Sequence, residues 1–292
     1  MIIGWICLLS CVNQADGLQA RLNSIAMETG GKIFLYAKNL KSQKTCGISE
    51  DVPCRTASTI KLPILAAVHA EVRAGRLAWD EKLLLGPKSR TGGAGILPEL
   101  GDGLPLTLRD ASRLMMVLSD NTATNMILDR MGADTVNGHL ESWGFKQTRS
   151  MRKIGAGGES KAFHSPENKR PDGSTYGIGR STAKEMVELM ARLDAGAIVS
   201  PEDSKEILAL MGRQQGRDGL ARNDMKVRVA AKAGALDKLR SEVGILRTPK
   251  ATVAMAITFD DLPKSDWSVD NKALVALGRL SEALLEGLPD EP

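Results

Sequence analysis

From Gly31 to Leu40 ("GKIFLYAKNL") apolar and β-favouring residues follow one another over the length of a strand. The polar stretch behind it, "KSQKTCGISED", predicts a turn leading into a hairpin partner. The period then changes. Between Ser58 and Leu77 the apolar positions Ile60, Ile64, Ala67, Val68 and Val72 fall at helical spacing, and the glycine of "RAGRL" supplies a stop. Pro63 must stand near the start of this helix, because deeper inside it would remove a hydrogen bond and kink the chain. "TLRDASRLMMVLS" predicts a second helix, capped by Thr107 and burying Leu108, Leu114, Met115 and Leu118. "NTATNMILDRMG" predicts a third, stopped at Gly132. From Ser150 to Gly179 glycine, proline and charge replace any period, which describes a long loop of the kind that is either functional or disordered. Helical spacing resumes in "STAKEMVELMARL" and in "SPEDSKEILALMGRQ", where Ser200 is a cap and Pro201 a first-turn proline. Strand patterns return in "VRVAAKAG", "SEVGILRT" and "KATVAMAITFD", and a last helix runs from about Ser268 to Leu285.

Strands at both ends of the chain with helices between them predict an α+β fold. One antiparallel sheet forms from both chain ends, helices flank it, and an all-α subdomain is inserted. The boundaries expected are 19–57 and 198–292 for the α/β part and 58–197 for the all-α part, with the long loop at 150–179. Residues 1–18 are set apart. "MIIGWICLLSCVNQADG" has an apolar run from Ile2 to Leu9, and "LLSC" resembles a lipoprotein processing site that would lipidate Cys11. This predicts an exported protein, periplasmic or lipid-anchored; the absence of Lys or Arg before the run and its shortness argue the other way. The run is too short to cross a bilayer, so no transmembrane helix is expected.

Composition narrows the classes. In 292 residues, 42% hydrophobic and 25% charged, there is material for one large domain or two smaller ones, and aromatics at 3% leave the core to Leu, Ile, Val, Met and Ala. The net charge of +4 is spread along the chain, unlike the clustered basic residues that bind nucleic acid. His69, His139 and His164 share no ligand spacing with the cysteines, so neither a metal nor a cofactor is expected. Cys46 and Cys54 either close a small loop by a disulfide or stay unpaired; spacing does not choose. A monomer is expected.

Three short motifs carry candidate chemistry. In "STIK", Ser58 and Lys61 are three apart and share a face if the segment is helical. A serine hydroxyl needs a base beside it to become a nucleophile, and a lysine can serve when burial or nearby positive charge lowers its pKa. The plain alternative is a capping serine and a surface lysine. In "LSDNTATN", Ser119, Asp120 and Asn121 sit where one helix stops and another begins, either as caps or with Ser119 and Asn121 turned to a common cleft. In "AAKAGAL", strand alternation puts Lys232 and Gly234 on one face, the glycine allowing close approach of a ligand and the lysine holding a carboxylate. An exposed edge-strand lysine is the alternative.

In this order and at these separations, "STIK", "SDN" and the K-x-G strand resemble the class A β-lactamases and the wider penicillin-binding serine acyltransferases. The resemblance extends from about Gly31 to Leu285. It implies a serine hydrolase acting on β-lactam amides, or on a related amide or ester such as a peptidoglycan-like peptide. It makes Ser58 the acylated nucleophile, Lys61 its proton partner and Ser119 a relay to the leaving nitrogen. Asn121 would hold the substrate amide and Lys61, and Lys232 the substrate carboxylate. Gly234 belongs to the same strand, the amides of Ser58 and Ala235 would form the oxyanion hole, and Arg240 would be a second carboxylate contact. A D-Ala-D-Ala peptidase, a penicillin-binding protein or a β-lactam sensor with slow deacylation is the alternative within this resemblance.

Two positions depart from the pattern. Ala233 stands where the family carries a threonine or serine hydroxyl. The family's loop glutamate, which activates water, has no clear counterpart: counting forward from Ser119 reaches "KIGAGGE", and counting back from "STAKEM" reaches Glu167, with Pro171 where an asparagine belongs. Glu159 fits less well.

Overall fold

The computed structural model describes residues 17–224 and 226–290; Cys11 and the apolar run lie outside them. Its centre is a five-stranded antiparallel sheet in the order β2-β1-β10-β9-β8, made of β1 (Lys32–Asn39), β2 (Thr45–Ile48), β8 (Arg228–Leu236), β9 (Leu239–Arg247) and β10 (Thr252–Asp260). Both chain ends therefore contribute, β1 pairing with β10 from Lys32↔Asp260 to Asn39↔Val253. The hairpin partner of β1 lies inside the stretch read as a turn: the turn itself is short, with Gln43 at φ 60°.

Period-two alternation divides β10 between two cores. Val253, Met255, Ile257 and Phe259 pack on one side with α1 (17–27) and α8 (Lys272–Gly287). Ala254 and Ala256 face the other side. Helix α1 was not among the expected elements, although Leu18, Leu22, Ile25 and Ala26 repeat at helical spacing and pack in that core. Gly17 and Leu18, assigned above to a leading segment, thus belong to the folded body. Helix α8 starts later than expected because Asn271 is its cap, accepting from Ala273 N at 2.8 Å, while Ser268 is engaged by the Asp266 carboxylate.

The middle of the chain forms α2 (Lys61–Arg73), α3 (Leu108–Val117), α4 (Asn121–Met131), α5 (Ala133–Ser142), α6 (Ala183–Asp194) and α7 (Pro201–Met211). Thr107 and Ser200 cap α3 and α7 as expected, accepting from Asp110 N and Asp203 N. Helix α6, inside the span expected to form an all-α subdomain, lies against β10 and β1, so the contacts place it with the sheet. The span also holds short strands: β4 (Lys82–Leu84) pairs with β5 (Pro105–Thr107). Strands β3 (Cys54–Arg55), β7 (Gly179–Ser181) and β6 (Arg149–Ser150) make a three-stranded patch that pins both ends of the long loop beside the segment entering α2. Within that loop Met151 N–H donates to Ile178 O at 2.9 Å and Asn168 Nδ2 to Phe163 O at 2.7 Å, so it is an ordered element.

Cys46 and Cys54 are both free. Cys54 belongs to the core on one side of the sheet and Cys46 packs against the core on the other, which rules out a bridge between them. Burial pushes the Cys54 thiol up to about 12. A thiol reagent followed by peptide mass mapping is therefore expected to leave Cys54 unmodified in the native protein and to label it fully in denaturant; rapid native labelling would contradict this packing.

Candidate active site

The segment that carries Ser58 is fastened to the sheet from both sides. On one side, Arg55 Nε reaches the carboxylate of buried Asp260 at 3.0 and 3.1 Å, and Arg170 of the long loop reaches Asp261 at 2.7 Å. On the other, the backbone of Thr56–Thr59 runs against Gly234 on β8: a Cβ there would stand 2.9 Å from Thr56 O, 3.0 Å from Ser58 N and 3.1 Å from Thr59 N. The glycine is thus required by the protein's own backbone, not by a ligand as the strand reading supposed, and it brings Ser58 beside the strand that carries Ala235. Ala57, just before Ser58, is held at φ 47°, a left-handed conformation costing a side-chain-bearing residue roughly 1–2 kcal/mol. Ser58 lies in a 3-10 turn (Ala57–Ile60), and α2 begins only at Lys61.

Lys61 is fully buried. Its Nζ donates to Ser119 O at 2.6 Å and to Asn121 Oδ1 at 2.7 Å, and lies 3.2 Å from Ser119 Oγ. No hydrogen bond joins it to Ser58 Oγ, because its two shortest bonds turn Nζ towards the Ser119–Asn121 corner. Lys232 Nζ approaches the same Ser119 Oγ at 3.1 Å from the opposite side. One hydroxyl therefore lies between two buried ammonium groups. Burial, first, and the charge of Lys232, second, hold the Lys61 pKa well below the usual lysine value, against the opposing pull of Asp120. Burial likewise brings Lys232 down to about 8, opposed by Glu242.

Ser119 itself is strained, at φ 56°. Asp120 holds it there. Its carboxylate accepts from Ala123 N at 2.8 Å as the cap of α4, and from Ile96 N and Leu97 N at 2.7 and 2.9 Å. Asn121 is held in turn by the 91–97 loop, its Nδ2 donating to Gly92 O at 3.0 Å and its own N–H to Ala94 O at 2.9 Å. That loop can come so close because Gly93 and Gly95 have no Cβ and adopt φ 95° and 114°.

These groups border a cleft of ≈750 Å³, with Ser58, Ser119 and Asn121 on its floor and one lip and Lys232, Gly234 and Ala235 along the other. Lys61 stands behind it. Arg240 borders the cleft too, but Nη1 donates to Leu236 O and Leu239 O at 2.6 and 2.7 Å, Nη2 donates to Asp266 O, and Trp267 stacks on it at 4.5 Å. Those donors frame the β8–β9 turn, so the geometry does not offer them to a substrate carboxylate.

Two cleft residues escaped the sequence reading. Gln214 follows α7, and its Oε1 accepts from Ala233 N at 2.7 Å and from Lys232 Nζ at 3.4 Å, so a carboxamide occupies the neighbourhood of the absent hydroxyl. Glu242 is buried on β9 opposite Ala233, accepts from Leu220 N at 2.8 Å, and is pushed by burial up to about 7. Counting the register back from the Asp237–Lys238 turn would have found it.

Glu167 does not border the cleft: its side chain is 62% exposed and pairs with Arg180 at 3.4 Å. Glu159 accepts from Gly157 N within its own loop. Where the forward count lands, the backbone of Ile154 is held by both ends of the Asn125 carboxamide, at 2.9 Å each.

Comparison with known proteins agrees with this geometry. The model of the β-lactamase enzyme family matches residues 17–288, and the chain belongs to that family. A β-lactamase from Sphaerobacter thermophilus is 27% identical, with a TM-score of 0.78 over 93% of this chain and 96% of that one. The structure of PBP-A, 24% identical, superposes with a TM-score of 0.77 over 92% of this chain and 96% of its own. The β-lactamase regulatory protein BlaB of Streptomyces cacaoi is 23% identical over 90% of this chain and 95% of its length. The fold is therefore that of the β-lactamases and penicillin-binding proteins, as the motifs implied.

The clamp on Ser119 has a measurable worth. Asp120→Ala leaves two buried N–H groups and one part-buried one without an acceptor and is expected to cost about 3 kcal/mol in denaturant unfolding. Thr107→Ala, which removes one ordinary cap, should cost about 1 kcal/mol. Equal losses for the two variants would refute the clamp.

Proposed function

We propose that this chain is a serine hydrolase that opens β-lactam amides, or the related amide of a peptidoglycan-like peptide, through an acyl-Ser58 intermediate that it releases slowly. The observation that carries this is the placing of Ser119 Oγ between Lys61 and Lys232 in the cleft that holds Ser58. A neutral Lys61 amine has two N–H bonds and one lone pair. Its N–H bonds point to Ser119 O and Asn121 Oδ1, so the lone pair is what remains for a hydroxyl proton.

In the first half-reaction Ser58 Oγ attacks the carbonyl carbon and its proton passes to Lys61 Nζ. The oxyanion forms at the amides of Ser58 and Ala235, each such donor contributing about 3 kcal/mol of transition-state stabilisation. As the C–N bond breaks, the leaving nitrogen takes the Ser119 hydroxyl proton, which Lys61 replaces, and Lys61 is neutral again. Lys232 attracts the substrate carboxylate without the hydroxyl donor that Ala233 lacks, since Gln214 beside it presents an acceptor oxygen.

The second half-reaction needs a group that activates water. Asp218 and Glu242 are the carboxylates bordering the cleft among the described residues, and Glu242 is tied to Leu220 N at 2.8 Å behind Lys232. A positioned general base contributes about 10²–10⁴ in rate; neither carboxylate is hydrogen-bonded to Ser58, Lys61 or Ser119 among the described residues, which favours a long-lived acyl-enzyme. The same arrangement favours, as a second reading, a D-Ala-D-Ala peptidase or β-lactam sensor over an efficient antibiotic-destroying enzyme.

A chromogenic cephalosporin followed by absorbance and by intact mass tests both halves. The expected result is one equivalent of product in a burst and an adduct on Ser58 that persists, both abolished in Ser58→Ala. Rapid steady turnover would overturn the slow release, and neither product nor adduct would sink the β-lactam reading.

Substrate binding should also depend on pH. Lys232 is positive below about 8 and neutral above, so KM for an anionic β-lactam should rise roughly tenfold by pH 9 relative to the plateau below pH 7. In Lys232→Arg, which stays charged, the profile should be flat over that range.

A further inference from the structure

Away from the catalytic cleft, α2, α3 and α7 enclose a second cavity of ≈270 Å³ that the reaction does not use. Its polar lining is unusual for a gap between helices. Ser112, only 2% exposed, lines it, and its hydroxyl has no hydrogen-bond partner. A buried hydroxyl left this way costs free energy unless something else fills its valence.

His69, on the α2 side, is also buried. Its Nδ1 lies 2.8 Å from Asp203 Oδ1, and its ring packs edge-on against Trp79 at 4.7 Å. Burial pulls its pKa below the usual histidine value despite Asp203. A neutral ring must then keep its proton on Nδ1 and donate that N–H to the carboxylate, which leaves Nε2 as an acceptor with no hydrogen-bond donor among the described residues. Three guanidinium groups border the same space: Arg109 and Arg113, one turn apart on α3, and Arg213 beyond α7. Arg109 lies on the face of Trp79 at 4.7 Å and 3.9 Å from Glu206, and Arg113 pairs with Asp110 at 3.2 Å. Arg213 makes no ion pair among the described residues. Like charges one helical turn apart repel; among the described residues Glu206 is the one acid in the lining, and with Asp110 outside it two carboxylates stand against three cations.

From this juxtaposition we propose that the cavity is a binding site for a small organic carboxylate carrying a hydrogen-bond donor next to its carboxyl group, that is, an α-hydroxy or α-amino acid. The carboxylate meets the guanidinium groups and the Ser112 hydroxyl, while the neighbouring O–H or N–H donates to His69 Nε2. The apolar sides of Leu65, Ala209 and Leu210 accept a short aliphatic tail. A volume just under the usual 300–1,000 Å³ of ligand pockets limits the occupant to a small molecule. The site is independent of the acyl-transfer reading, since it shares no side chain with that cleft.

The test is a titration of the full chain with lactate and, separately, with alanine at constant ionic strength, following the ring protons of His69 by NMR. The expected result is a saturable shift with at least one of the two, the stronger binder telling a hydroxy acid from an amino acid. Affinity should fall at least tenfold in Arg213→Gln and in Ser112→Ala, and stay unchanged in Ser58→Ala. Arg213 is exposed, so its replacement leaves the fold intact; a melting curve checks this for both variants. No saturable shift with either compound, or binding as tight as in the unaltered protein in either Arg213→Gln or Ser112→Ala, would overturn the proposal.

Discussion

Taking an ammonium group out of water is among the costlier things a fold can do, and this one does it twice around a single hydroxyl. Lys61 and Lys232 have at most 1% of their surface exposed, and both reach Ser119 Oγ. Burial lowers the affinity of both for protons, and the charge of Lys232 lowers that of Lys61 further. What makes the arrangement tolerable is oxygen: Ser119 O and Asn121 Oδ1 for Lys61, Ala233 O at 2.9 Å for Lys232. The rest of the site can be read as the scaffolding that keeps those oxygens in place.

That scaffolding has a hierarchy. Asp120 fixes the strained Ser119 by binding three backbone amides, two of them in a loop far off in sequence. The loop fits because two glycines let it touch Asp120 and Asn121 directly. Asn125, one turn further along α4, then holds Ile154 at the start of the long loop. A single helical terminus thus organises the Ser119–Asn121 side of the cleft and the start of the long loop. Strain at Ala57 and Ser119 sits where the surrounding bonds are densest, as expected of strain that persists in a folded protein.

Much of this could be read from the chain, and the limits have physical causes. Strands with alternating burial and helices with clear caps, such as those at Thr107 and Ser200, announce themselves because the signal is local. The three motifs were visible for the same reason, each being four residues or fewer. What escaped was produced by contact between distant segments. Gln214 is an unremarked glutamine after a helix until the sheet edge arrives beside it. Glu242 reads as an ordinary strand carboxylate until Leu220 N–H caps it. Helix α6 looks like part of the helical insertion, since a period cannot say which neighbour will cover an apolar face. Arg240 was visible as a cation, but only folding determines that carbonyls of its own turn and Asp266 take its donors.

The fit of Gly234 against the turn of Ser58 has a mechanical meaning. With no side chain between them, the sheet edge and the turn that leads into α2 are in direct backbone contact, so Ser58 and the strand carrying Ala235 travel as one piece. Flexing between the sheet and the helices cannot part them without breaking that contact. The opposite lip is fastened in a second way: besides the close approach of Gly95 to the backbone of Asp120, side-chain hydrogen bonds from Ile96 N and Leu97 N to Asp120 and from Asn121 Nδ2 to Gly92 O tie the 91–97 loop down. The cleft is thus a jaw braced on both sides, and the side braced by bare backbone contact is the one that, in the proposed acyl transfer, would receive the reacting carbonyl.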